Sequence, residues 1–172
     1  MRKISLENDY YQLLVILGII FVYFKFVYFL KNETYPATLI FLLFLLNFFL
    51  TITFFFLLSK LFNKESDWKS FLFTLSYAVL PTLIWFLSTS VLYIFLPPPR
   101  TFSLLGKTFS IIFTTYSLSL LIWKLILVYL AIRFSSKQNF FRIIYMIMFY
   151  LLWFIPYSIF LYYFKLFRIP FI

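Results

Sequence analysis

Five long apolar stretches, separated by short polar loops, take up most of this chain and leave it few folds to adopt. A bilayer core of roughly 30 Å is crossed by about 20 apolar residues in an α-helix, and only helices or closed barrels satisfy their own backbone in lipid. A barrel alternates apolar and polar residues over strands of about ten. The runs here are continuous. The sequence therefore predicts an all-α fold, a polytopic transmembrane helical bundle with about five spans. Expected spans are about 10–30, 37–58, 71–96, 108–132 and 143–164, within a single membrane domain over 1–172. The short loops predict antiparallel packing of neighbouring helices.

Composition excludes much else. With 65% hydrophobic residues, 15 Lys and Arg and only 5 Asp and Glu, the chain has too little polar surface to coat a soluble globule. It has no Cys and no His, so disulfides, thiolate metal sites and the commonest general base are ruled out. Its acids are Glu7, Asp9, Glu33, Glu65 and Asp67, all in the N-terminus or in loops. Zinc, di-iron, phosphatase and intramembrane protease chemistry lack their ligands or bases, and the expectation is no enzyme and no cofactor. The net charge of +10 suits anionic headgroups better than nucleic acid. Expected partners are the lipid bilayer and other membrane proteins or a second copy. Gly18 and Gly106 are the only glycines, so no GxxxG motif supplies close helix contact.

Two points admit alternatives. Arg2 and Lys3 could open a signal peptide. However, Glu7 and Asp9 spoil that start, and Lys31-Asn32-Glu33 stands where a small-residue cleavage site belongs, which favours a retained span. Asn32-Glu33-Thr34 also matches a glycosylation sequon, a pattern common by chance. In the third stretch, Pro81 either kinks one helix or divides two half-spans, and the absence of charge over 71–96 favours the kink.

Basic residues set the orientation. Arg2, Lys3, Lys60, Lys64, Lys69, Arg133, Lys137 and Arg142 fall on one side of a five-span arrangement, against Lys31, Arg100, Lys107, Lys165 and Arg168 on the other. Eight against five predicts a cytoplasmic N-terminus and an outside C-terminus.

Two lysines fall inside spans. Lys25 lies close enough to the outer end of its helix to reach the interface by snorkelling. Lys124 lies deeper, ~12 Å from the inner end of the fourth span at the helical rise. Ser110, Thr114, Ser117 and Lys124 share one helix face by spacing. That stripe reads either as a polar groove or as a hydrogen-bonding seam with a snorkelling lysine, and the seam is preferred. On the third span Thr74, Tyr77, Pro81, Trp85 and Ser88 form a second face, with Tyr77 and Pro81 as the kink site. Asn47 and Thr51 mark a smaller polar patch, and Pro156 is expected to kink the last span.

Around Pro81 the chain resembles a family. The loop Asn63-Lys64-Glu65-Ser66-Asp67-Trp68-Lys69-Ser70 leads into Phe71-Leu72-Phe73-Thr74-Leu75-Ser76-Tyr77-Ala78-Val79-Leu80-Pro81. The later Ile122-Trp123-Lys124-Leu125 span is followed by a polar loop from Arg133 to Arg142. This layout is similar to that of Ypt/Rab-interacting (YIP) family membrane proteins, in particular their short prokaryotic members. The resemblance implies a prokaryotic cell membrane and a non-enzymatic scaffold or membrane-organising role. The alternatives are a small permease or membrane-embedded ligand-binding subunit of a transporter, and an accessory subunit of a larger membrane complex.

The topology generates a test. Single cysteines placed at Ser66 and Ser136 are expected to react only with cytoplasmic reagents, and one at Ser103 only with external ones. Labelling of positions 66 and 103 from the same side contradicts the placement of the third span.

Overall fold

A computed structural model describes residues 6–31, 36–62, 67–95 and 104–164. Several residues invoked above lie outside these segments: Arg2, Lys3, Asn32, Glu33, Thr34, Lys64, Glu65, Ser66, Arg100, Ser103, Lys165 and Arg168. The described chain is helical, in the order α1 (Leu6–Lys31), α2 (Ala37–Phe62), α3 (Trp68–Tyr77), α4 (Leu80–Phe95), α5 (Leu104–Ser136) and α6 (Phe140–Tyr163). Four of the resulting stretches are long and apolar enough to cross a membrane: Ala37–Phe62, Trp68–Leu92, Gly106–Ser136 and Phe140–Leu161. In α1 the apolar stretch is Tyr10–Phe26. The fold is an all-α bundle of an integral membrane protein.

Local chemistry sets the helix ends. Pro36 precedes α2, and its carbonyl accepts from the amides of Leu39 and Ile40 at 3.0 and 3.3 Å. Asp67 caps α3 by accepting from the Lys69 amide at 3.3 Å, which offsets one of the orphan donors of the first turn. This exposed acid, expected as part of a solvated loop, is thus a helix cap.

Between α3 and α4 the ladder changes register at Ala78 and Val79. Their amides bond three residues back, to Leu75 (3.0 Å) and Ser76 (3.1 Å), and four-residue bonding resumes at Leu83 to Val79 (3.0 Å). Pro81 explains the break: it has no N–H for the Tyr77 carbonyl, and its ring crowds that carbonyl. As the second residue of α4, Pro81 costs that helix nothing, since first-turn amides lack partners anyway. By contrast, α6 runs on through Pro156.

The broken helix is the central one. In its most apolar 18-residue window, 56% is buried inside the bundle, against 28% for α2, 22% for α6 and 6% for α5. It is α3 and α4 together that touch α1, α2 and α5. Phe44 and Phe55 of α2, Phe71 of α3 and Phe86 of α4 are fully buried, as are Ile20, Ile132, Ile143 and Met146. Tyr23 stacks on Phe86 with ring centroids 4.3 Å apart, and Phe24 meets the same ring edge-on at 5.6 Å. Large apolar side chains also cover the outside of the bundle, as lipid contact requires: Leu46, Leu57, Ile111, Ile122 and Leu152 are among those exposed.

The turn from α5 to α6 is tightly tied. Lys137 takes a left-handed φ of 51°, its amide bonds the Arg133 carbonyl (3.1 Å), and the Gln138 amide reaches Ser136 Oγ (3.4 Å). Arg142 donates to Gln138 Oε1 (3.1 Å) and lies over the Phe62 ring (5.8 Å). Ser136 is itself buried, so the labelling position on this turn is the exposed Lys137.

The left-handed residue gives a prediction. Lys137→Gly is expected to leave stability in detergent unchanged or raise it slightly. Lys137→Ile is expected to lower it by about 1–2 kcal/mol, the cost of a left-handed conformation for a side chain crowded at Cβ. Equal melting temperatures for the two variants would contradict this.

Candidate functional site

Side-chain hydrogen bonds join α3 and α4 to α5 along their length. Ser70 Oγ donates to Ser135 Oγ (3.3 Å), and Ser135 Oγ lies 2.7 Å from Thr74 Oγ1. Lys124 Nζ donates to Thr82 Oγ1 at 2.9 Å. Trp85 Nε1 donates to Ser117 Oγ at 3.0 Å, and Ser88 and Tyr116 pair through their hydroxyls at 2.8 Å. Partner numbers rise on one side as they fall on the other, so these helices run antiparallel. Directions follow from proton counting, since a hydroxyl has one proton. Thr74, Ser88 and Ser117 give theirs to carbonyls of their own helices, at 2.7 to 2.8 Å. They are therefore acceptors across the seam.

Beside the seam lies a half-open cavity of about 240 Å³. It is walled by α2 through Phe48, Ile52 and Phe55, by the α3–α4 break through Ala78, Val79 and Thr82, by α5 through Leu121, Lys124 and Leu125, and by α6 through Tyr150, Leu151 and Phe154. Most of that lining is aliphatic or aromatic. Thr51, Thr82, Lys124 and Tyr150 are the exceptions.

The four polar groups form two pairs. Thr51 Oγ1 donates to the Asn47 carbonyl at 2.9 Å, so in its 3.0 Å contact with Tyr150 the phenol is the donor. Both protons are thereby spent, and this pair offers a ligand lone pairs only. The Lys124–Thr82 pair carries the ammonium. Among its described lining the cavity therefore has one cationic spot and one accepting pair in a largely apolar wall.

The expected polar face of α5 divides. Ser110 and Thr114 donate to carbonyls of their own helix, Gly106 and Ser110 respectively, both at 2.8 Å, and Thr114 is exposed. Ser117 and Lys124 meet α4. The preferred snorkelling of Lys124 is corrected here: its ammonium turns inward to Thr82. The physical reason is the neighbouring break, which sets the Thr82 hydroxyl within reach, closer than the interface ~12 Å away along the helix. Lys25 behaves otherwise, being exposed with its ammonium 5.7 Å from the Phe21 ring.

The expected kink site also divides. Pro81 is buried at the break, whereas Tyr77 is exposed and donates from its hydroxyl to Gln12 Oε1 of α1. Thr74, Trp85 and Ser88 face α5. Sequence reasoning missed Thr82 and Tyr150. A hydroxyl next to an intramembrane proline was a usable signal for the first; one tyrosine among 14 gave none for the second. Among the described residues no group of three or more His, Cys, Asp or Glu could hold a metal ion.

Compared with protein-family models, curated proteins and solved structures, the chain matches none of them.

The Lys124–Thr82 pair predicts an asymmetry. Thr82→Val is expected to destabilise the protein by about 1–3 kcal/mol, because it removes an acceptor from a half-buried intramembrane cation. Lys124→Met is expected to cost less, and Lys25→Met nothing measurable. Unfolding in mixed detergent micelles checks the order; a Thr82→Val variant as stable as the wild type contradicts it.

Proposed function

We propose that the protein is a non-enzymatic, membrane-embedded binding protein whose intrabundle cavity takes a small apolar or amphipathic molecule. The carrying observation is the cavity of about 240 Å³ among four helices, with Lys124 in its wall. An occupant supplies the packing contacts that the lining side chains lack on their open side. The size lies just below the usual range for ligand sites, roughly 300–1,000 Å³, and suits a small occupant.

In this reading α1 is the fifth span, the N-terminus is cytoplasmic, the C-terminus is outside, and the membrane is a prokaryotic cell membrane. A YIP-type scaffold role is the second reading. Its support is the Asp67-capped start of α3 followed by the break at Pro81, the layout on which the resemblance rests. In that case the mostly exposed α5 is the surface left for a partner or a second copy.

Photolabelling distinguishes the two. With the protein in phosphatidylcholine nanodiscs, a diazirine-bearing decanol is expected to label Ile52, Leu121 and Leu151 in addition to outward residues such as Leu46 and Leu152. Val79→Trp, which fills the cavity, is expected to abolish the first set and spare the second. Labelling confined to the outward residues in the unmodified protein defeats the cavity reading.

A further inference from the structure

We propose that the molecule held in this cavity is a single-chain amphiphile with a monoanionic head, a carboxylate seated on the Lys124 ammonium with its alkyl chain against α2 and α6. The inference rests on the cavity reading and adds the ligand's chemistry to it. Three observations carry it.

First, the position of the head. The Thr51–Tyr150 pair has spent both protons and can only accept, so it repels rather than binds an anion. Lys124 is the charged donor in the wall, and its bond to Thr82 holds the ammonium there. A charged hydrogen bond between ammonium and carboxylate is among the stronger ones available in a low-dielectric site.

Second, the charge. Among the described residues one lysine lines the cavity, and that lining contains no Arg and no second Lys. A single negative charge matches it. A phosphomonoester carries up to about two charges near neutral pH and would bring an uncompensated one into an apolar wall.

Third, the size. The cavity, at about 240 Å³, lies just below the usual range for ligand sites, roughly 300–1,000 Å³. That suits one medium-length chain, whose end can leave through the half-open side.

The test is competition against the diazirine decanol label at the cavity residues, in phosphatidylcholine nanodiscs. Decanoate, decanesulfonate, decanol and a two-chain phosphatidic acid serve as competitors. With the native protein, decanoate and decanesulfonate are expected to outcompete decanol by about tenfold or more, the order of one charged hydrogen bond, and phosphatidic acid to compete no better than phosphatidylcholine. Lys124→Met is expected to bring both anions to the level of decanol, and continued labelling of the cavity residues shows that the variant is folded. Equal competition by decanoate and decanol on the native protein overturns the anionic head and leaves the cavity reading standing. Phosphatidic acid competing as well as decanoate overturns the single chain. Failure of every competitor, decanol included, sinks the cavity reading itself.

Discussion

In hydrocarbon a backbone amide or carbonyl that loses its helical partner has no water to turn to, so an irregular turn survives there only when other protein wraps it. The step at Ala78–Val79 imposes that condition on the whole bundle. Pro81 makes the step unavoidable, and the broken helix occupies the interior, where Ala78, Val79, Pro81 and Thr82 are all buried. α1, α2 and α5 are arranged around it. The same break leaves space beside it, and the cavity is walled by the residues of the step.

The helices around this centre cannot be held by the hydrophobic effect, since lipid tails are as apolar as the side chains they would replace. Two other sources of cohesion are visible. Aromatic rings interlock on the α1–α2–α4 side, where Phe24 meets Phe41, Phe44 and Phe86, and Phe41 stacks on Phe44. On the α5 side, Thr74, Ser88 and Ser117 accept across the seam while giving their protons to their own helices. The habit extends to lipid-facing positions, where Thr114, Thr115 and Ser119 each donate to the carbonyl four residues back. A helix with so many hydroxyls can thus face hydrocarbon without an unsatisfied group.

The parts legible in the sequence were those that depend on length and on backbone chemistry. Continuous apolar runs located α2, α5 and α6, and a proline without an amide located the break. What depends on direction was obscured. In a chain so uniformly apolar, helical periodicity has little contrast to work with, and spacing alone grouped Ser110 and Thr114 with Ser117 and Lys124. Only the last two turn toward α4, because α5 touches its neighbours along a narrow strip and leaves Thr114 outside it. The inward turn of Lys124 depends on a hydroxyl 42 positions earlier, a pairing that no local pattern records.

That separation has a consequence for how the chain is made. Synthesis runs from the N-terminus, so Thr82 and the break beside it emerge before Lys124 does. Carrying a lysine to the middle of a bilayer costs about 2.5–3.5 kcal/mol for a helix entering alone. Here the acceptor is translated first, and the later helix can enter alongside a segment already able to receive its ammonium. The order of residues along the messenger thus matches the order in which an intramembrane charge and its partner are needed.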